Sequence, residues 1–119
     1  MANGDVTFAS TRTMSALLLD AADGTQLNNG VWVDCREYGG GAVSVDGVAT
    51  LAVITIYGSS ALARPSNATN TGTISVTGNP TTAATNPTVV IPTLPRWIKA
   101  GITTVGTGTI TVTFTARVL

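Results

Sequence analysis

The residues best suited to chemistry in this sequence form a short run near the C-terminus with two cations and one aromatic ring, Arg96-Trp97-Ile98-Lys99. A tryptophan beside cations can stack on a sugar ring or a nucleobase, or it can anchor a protein interface. Alternatively, Trp97 packs against the edge of its own fold, because tryptophan is on average highly buried. With both interpretations open, we take as the candidate interface residues Arg96, Trp97, Lys99 and, from an earlier segment, Trp32.

The composition leaves few ways to build a catalytic or metal site. The chain has no histidine and a single cysteine, Cys35, which excludes His-based triads, Cys–His pairs and Cys-rich zinc sites. Asp34 and Glu37 are the nearest pair of acids, but residues three apart on a strand point to opposite faces. We therefore expect no enzyme activity, no catalytic residue, no cofactor and no metal, and we interpret Cys35 as a small buried apolar residue.

Charge is scarce in this sequence and unevenly distributed. The formal net charge is zero, and 10% of the residues are charged, against ~25% in an ordinary soluble domain. Residues 1–50 hold all six acids and two bases, whereas residues 51–119 hold the other four bases. This split reflects chance, pairing within the fold, or complementarity between copies joined head to tail. Nucleic acid is not an expected partner, because its binding usually needs a basic excess.

Alternating apolar and polar residues predict strands along most of the chain. In the C-terminal region, two alternating runs over 97–103 and 109–117 flank Gly106-Thr107-Gly108, which predicts a C-terminal β-hairpin. The most apolar run, Val48–Tyr57, predicts a central strand covered on both faces. It is too short to cross a bilayer as a helix, so no membrane partner is expected.

Turn residues divide these strands at short, regular intervals. Residues 58–71 and 78–87 are rich in Gly, Ser, Thr, Asn and Pro and are predicted to be loops. About eight short strands without a helix predict an antiparallel β-sandwich or a jelly-roll-like fold. We expect one domain over residues 1–119, with residues 1–10 as a short strand or an N-terminal arm.

Three segments carry a recognisable pattern: Val31–Tyr38, Leu51–Ser60, and Leu94–Ile102 followed by a Gly-Thr-rich run. They resemble the small all-β virion structural proteins of tailed bacteriophages, in which similar motifs occur in the same order. The residues that match the pattern are Asp34, Arg36, Tyr38, Ser59, Arg96, Trp97, Lys99 and Ala100. Members often carry Asp-Gly-x-x-Trp after the Gly-Ser step, where this chain has Ala61-Leu-Ala-Arg-Pro65.

The resemblance implies a structural component of a phage particle, such as a capsid decoration (cement) protein or a neck or tail component. The implied partners are the major capsid protein or other virion subunits, together with further copies of this chain, a trimer being favoured. The implied location is the virion, after synthesis in the host cytoplasm. The alternative is a carbohydrate-binding or tail-fibre component that uses Trp32 or Trp97 as a platform for sugar.

Overall fold

The computed structural model describes residues 3–7, 13–35, 38–47, 52–70, 72–77 and 88–118. Throughout these residues the regular elements are β-strands, and nine strands form two antiparallel sheets. The strands are β1 (Val6–Thr7), β2 (Thr13–Asp23), β3 (Val33–Asp34), β4 (Gly40–Gly47), β5 (Val53–Ser59), β6 (Thr73–Thr77), β7 (Thr88–Ile91), β8 (Trp97–Thr104) and β9 (Thr109–Arg117). The predicted all-β sandwich is confirmed. The described residues contain no helix long and apolar enough to span a membrane.

The two sheets are wound together by a chain that repeatedly changes sheet. The first sheet has the strand order β1-β2-β9-β4-β7, and the second has the order β3-β8-β5-β6. Apart from β1 with β2 and β5 with β6, neighbouring strands are distant in sequence. The fold therefore depends on long-range pairing, which is paid for in loop-closure entropy before the contacts stabilise it.

The inward faces of both sheets meet in one apolar core. Strand side chains alternate between faces, so β9 buries Ile110, Val112 and Phe114 while the threonines between them remain exposed or half-buried. The core residues with 2% exposure or less include Met14, Ala16, Leu18, Leu19, Val43, Ile54, Ile56, Ile98, Ala100, Ile102 and Ala116. The alternation of the runs over 97–103 and 109–117 predicts Ile98, Ala100, Ile102, Ile110, Val112 and Phe114 as their inward residues, and all six are buried.

The predicted C-terminal hairpin is wrong. Strand β8 pairs with β3 and β5, whereas β9 pairs with β2 and β4 in the other sheet. Residues 105–108 cross between the sheets, held by hydrogen bonds from Gly106 N–H to the Gly24 carbonyl (2.7 Å) and from Gly24 N–H to the Gly108 carbonyl (2.8 Å). Gly108 has the positive φ expected of a turn, 80°. Alternation and turn glycines look the same in a hairpin and in a connection between sheets, since only the distant partner strands differ.

Strand β5 is central and covered on both faces, as predicted. It lies between β8 and β6, and its four consecutive residues Ile54, Thr55, Ile56 and Tyr57 are all buried. The isoleucines face the core, so Thr55 and Tyr57 face outward and need a different cover. The predicted loop at 58–71 is confirmed for residues 60–70, whereas the one at 78–87 lies outside the described residues, as do residues 48–51 at the start of the predicted strand.

Cys35 lies in the core, as the sequence predicts. Its side chain is 1% exposed, and its Sγ lies 3.6 Å from the carbonyl oxygen of Val33. Burial, with a smaller contribution from the charge of Asp34, raises the pKa of the Cys35 thiol from 9.0 to about 12. The thiol therefore remains protonated and unreactive in the folded chain at neutral pH.

The free energy of unfolding should depend on alkaline pH through Cys35. Between pH 9.0 and about 12 the unfolded chain loses a proton that the folded chain keeps, so this contribution is complete below pH 9 and is lost as pH rises. The loss is about 1.4 kcal/mol per pH unit. The free energies of unfolding of wild type and Cys35→Ala should be measured with denaturant at pH 8 and pH 11. From pH 8 to pH 11, wild type should lose about 2–3 kcal/mol more of this free energy than the variant. A difference that stays constant would contradict the shifted pKa.

Candidate functional site

The four candidate residues lie together on the outer face of the second sheet. Trp97 and Lys99 alternate with core residues along β8 and therefore point away from the core. Tyr57 of β5 is directly opposite Lys99 in the strand register. On the other side of β8, Val33 pairs with Ile98, which brings Trp32, one residue before β3, alongside Lys99. The pairing of β3, β8 and β5 thus aligns two rings on either side of one ammonium group.

Lys99 is enclosed by these rings. Its Nζ lies 5.2 Å from the ring centre of Trp32 and 5.4 Å from that of Tyr57, and the side chain is 0% exposed. The ammonium donates a hydrogen bond of 2.5 Å to the carbonyl oxygen of Asn67. Burial lowers the pKa of Lys99, whereas the rings and the carbonyl favour its charged form, since a desolvated cation–π contact contributes about 2 kcal/mol or more.

Arg96 makes the second cationic contact of the site. Its guanidinium lies 5.0 Å from the ring centre of Trp97, and that of Arg64 lies 5.5 Å from the same ring. Arg96 Nη1 donates to the carbonyl oxygen of Leu62 at 2.6 Å, and Nη2 lies 3.9 Å from Asp34 Oδ2. The guanidinium groups of Arg96 and Arg64 thus both lie within cation–π distance of the Trp97 indole.

The loop of residues 60–70, which we call the clamped loop, covers this face. Four side chains of the sheet donate hydrogen bonds to its backbone carbonyl oxygens: Trp97 to Ala61 (3.0 Å), Arg96 to Leu62 (2.6 Å), Trp32 to Ser66 (3.0 Å) and Lys99 to Asn67 (2.5 Å). The stems of the loop are joined by Gly58 N–H to the Gly72 carbonyl (2.9 Å). Gly72 has a φ of 67°, and a Cβ there would collide with the carbonyl oxygen of Gly58.

The clamped loop changes what the four candidates can contact. Trp97 is 5% exposed, and Trp32 and Lys99 are 0% exposed, so the packing alternative for Trp97 is the one that the structure shows. A partner approaching this face meets the loop first, where Leu62 is 88% exposed. That the four residues form an interface stays a prediction. The three buried residues could contribute to an interface only by positioning the clamped loop.

The charged and aromatic side chains of this site hold the clamped loop in place, and the arrangement gives little scope for acid–base chemistry. The cations are engaged by rings and carbonyls, and within the described residues no three acids or thiols gather where they could hold a metal ion. Sequence reasoning predicted the loop but missed that it covers this face, and it missed Tyr57 as a member of the site. A signal was available: where a strand is predicted to be covered on both faces and no helix is predicted, a loop is needed over its outer side.

Removing one hydrogen bond of the clamp should loosen the loop. In Trp97→Phe a smaller aromatic ring replaces the indole and the donor to the Ala61 carbonyl is lost; loss of the hydrogen bond alone costs about 1 kcal/mol. Because cleavage of a transiently open segment follows the population of the open form, thermolysin should cut before the exposed Leu62 about fivefold faster than in wild type. Tyr57→Phe is the matched control, since it keeps its ring and removes no hydrogen bond to the loop. Equal cleavage of Trp97→Phe and wild type would show that the loop is held in another way.

Comparison of the chain with protein-family models, with curated proteins and with solved structures gives no match. The function of this chain therefore has to be argued from its own sequence and geometry.

Proposed function

We propose that this chain is a non-enzymatic structural protein of a tailed-bacteriophage particle, a capsid decoration protein that binds and stabilises the outer shell. The proposal rests on the contrast between the two outer faces of the sandwich. The second sheet is covered by the clamped loop, whereas the first sheet presents an open face without charge at its centre.

The open face, which we call the hydroxyl face, follows from the strand register of β2, β9, β4 and β7. Two rows of side chains cross these four strands, and all eight residues are exposed or half-buried. The rows are Ser15-Thr115-Ala42-Val90 and Leu17-Thr113-Ser44-Thr88. Charged residues flank the rows, with Arg117 beyond one side and Asp46 beyond the other.

This distribution of charge is typical of a docking surface. The cores of protein interfaces are depleted of charged residues, and polar or charged groups lie at the rim. The hydroxyl groups can exchange hydrogen bonds with a partner without the desolvation penalty of a buried ion. Val90, which is 71% exposed, and the half-buried Leu17 supply apolar area within the same rows.

The strand order gives further support. Without β1, the sheets read β2-β9-β4-β7 and β3-β8-β5-β6, which is the order produced when an antiparallel pair of long segments is wound into two sheets. This order favours the jelly-roll interpretation of the sandwich, an architecture used by viral capsid and lectin domains. The resemblance of three sequence segments to virion proteins points to the first of these two uses.

A decoration protein of this kind stabilises its shell by mass action. It binds the assembled shell and not the separated subunits, so its binding free energy is added to the stability of the assembly. The area needed is that of an ordinary interface, about 800 Å² per partner. A rigid sandwich loses little conformational entropy on docking, because its hydroxyl face is already ordered by strand pairing.

The proposal is tested by sedimenting the purified protein with expanded capsids built from the major capsid protein of the same genome. Wild type should co-sediment with the shells and raise their midpoint of thermal disruption. Ala42→Lys, which places a charge at the centre of the hydroxyl face, should bind at least about tenfold more weakly. Ala68→Lys, the same change at an exposed position of the clamped loop on the opposite face, should bind like wild type.

Two results would contradict the proposal. Failure of wild type to bind any capsid or tail preparation would remove the function itself. Equal binding by Ala42→Lys and wild type would remove the hydroxyl face as the docking surface.

A carbohydrate-binding or tail-fibre role is the alternative proposal, supported by the use of the same architecture in lectins. It requires Trp32 or Trp97 to present a ring to sugar, and both rings lie under the clamped loop. A glycan array that gives a signal with wild type and none with Trp97→Phe would favour it over the capsid role. An array without signal would remove it.

A further inference from the structure

The uneven charge of the sequence becomes a difference between the two ends of the sandwich. Strands β2 and β4 each run antiparallel to β9. In these registers Asp23 of β2 is opposite Thr109, and Asp46 of β4 is opposite Thr111. Both acids therefore lie at the end where β9 begins. Arg117 lies at the opposite end, where β9 finishes against Thr13 and Gly40.

The second sheet follows the same polarity. Strand β8 begins at the end where β9 finishes, because residues 105–108 join the end of β8 to the start of β9. Arg96 thus lies at the same end as Arg117, and the two neighbourhoods are linked through Gly39, whose N–H bonds the Arg117 carbonyl and whose carbonyl accepts from Leu94. Two described acids also lie at this end: Asp34 is next to Arg96, and Asp5 lines one cavity with Asp34 and Arg64, so the three arginines remain in excess.

The basic end carries a fixed apolar anchor. We define the basic end as Arg64, Arg96, Arg117 and Leu62, of which Leu62 is the apolar anchor. The carbonyls of Ala61 and Leu62 are held from below by Trp97 and Arg96, and yet the Leu62 side chain is 88% exposed. A large apolar side chain held outward by a clamped backbone loses little entropy when it enters a pocket, which is the property of a preorganised binding anchor.

The acidic end carries apolar side chains of its own. We define the acidic end as Asp23, Asp46, Leu27 and Val105. Leu27 is 69% exposed and Val105 is 45% exposed. They are held close to the acids by bonds from Gln26 N–H to the Asp23 carbonyl (3.2 Å) and from Gly106 N–H to the Gly24 carbonyl (2.7 Å). This end therefore offers apolar area surrounded by carboxylates.

We propose that copies of this chain associate head to tail, with the basic end of one copy docked on the acidic end of the next. Each end presents apolar area and a charge opposite to that of the other end, so the complementary partner is present on the same chain. Like ends would bring like charges together, which disfavours a two-fold symmetric dimer. A head-to-tail contact closes into a ring or continues as a filament, depending on the rotation between neighbours.

The two kinds of contact contribute differently. Exposed ion pairs stabilise by about 0–1 kcal/mol each, so the charges mainly set orientation and the rate of encounter. The affinity comes from Leu62 packing against the apolar residues of the acidic end, as expected of central anchors in interfaces. The association does not require a capsid, and it uses neither row of the hydroxyl face.

The test is a measurement of mass by sedimentation velocity on the purified full chain, over a range of protein concentration and at 50 mM and 1 M salt. Wild type should form oligomers that weaken at high salt, because screening shortens the Debye length from more than 10 Å to about 3 Å. Leu62→Gln blocks the basic end and Leu27→Gln blocks the acidic end. Both side chains are exposed, so neither change should affect folding, and each variant alone should be a monomer.

An equimolar mixture of the two variants distinguishes this arrangement from any other. Each variant keeps one intact end, and the two intact ends are complementary, so the mixture should form a one-to-one dimer and nothing larger. Wild type that remains monomeric at high concentration and low salt would overturn the inference. So would oligomers that persist in either variant, or a mixture that stays monomeric.

The outcome is separable from that of the capsid experiment. A monomer that binds shells would overturn the head-to-tail association and leave the proposed function standing. An oligomer that binds no capsid or tail preparation would do the reverse.

Discussion

The fold depends on covering the outer face of the second sheet. Trp32, Tyr57 and Trp97 place three large aromatic rings there, and water would surround them if the face were open. The described chain has no helix to lay over them. A loop must do so, but a loop has backbone groups that also need partners. The indole, guanidinium and ammonium donors of the face solve both problems, because they bind the carbonyls of the loop that shields the rings.

Lys99 illustrates the balance within this cover. A fully buried ammonium would be strongly destabilising without compensation. Here the loss of water is offset by two ring faces and one carbonyl oxygen, and the pKa of Lys99 is lowered by burial. The lysine thus links the register of three strands to the position of the clamped loop. An apolar side chain of the same length would lose this charged hydrogen bond to the Asn67 carbonyl, which contributes about 1.5–3 kcal/mol.

Much of the fold could be predicted from the sequence, because strand periodicity is local. The alternating runs predicted over 97–103 and 109–117 match β8 and β9, and the even-numbered residues of β9 face the core as their alternation requires. Partner choice is not local. The turn at Gly106–Gly108 joins strands in different sheets, and nothing within those residues distinguishes that from a hairpin. The difference is decided by β2, β4, β3 and β5, which lie far away in the chain.

The candidate site could be predicted only in part, for a related reason. The spacing of Trp97 and Lys99 places both on one face of a strand, and this is correct. Whether that face is open depends on where residues 60–70 lie, and a loop has no periodicity that would locate it. The acceptors on this loop are backbone carbonyls, which every residue has, so their role cannot be recognised from side-chain types. What the sequence supplies is the set of donors, two indoles, an arginine and a lysine, without the backbone that they bind.

The separation of surfaces on this small domain has a consequence for affinity. The hydroxyl face lacks charged anchors, and single hydroxyl contacts contribute little, since a hydrogen bond exchanged with water is worth only about 0.5–1.5 kcal/mol. One copy would therefore bind a shell weakly. Copies joined through their ends would keep every hydroxyl face free, so a ring could apply several faces to one shell at once. After the first face binds, the others act at a high effective concentration, which can raise avidity by about 10²–10⁴ without a new contact. The proposed capsid binding and the proposed head-to-tail association are thus compatible, since in them the ends would determine the number of copies and the hydroxyl faces the target.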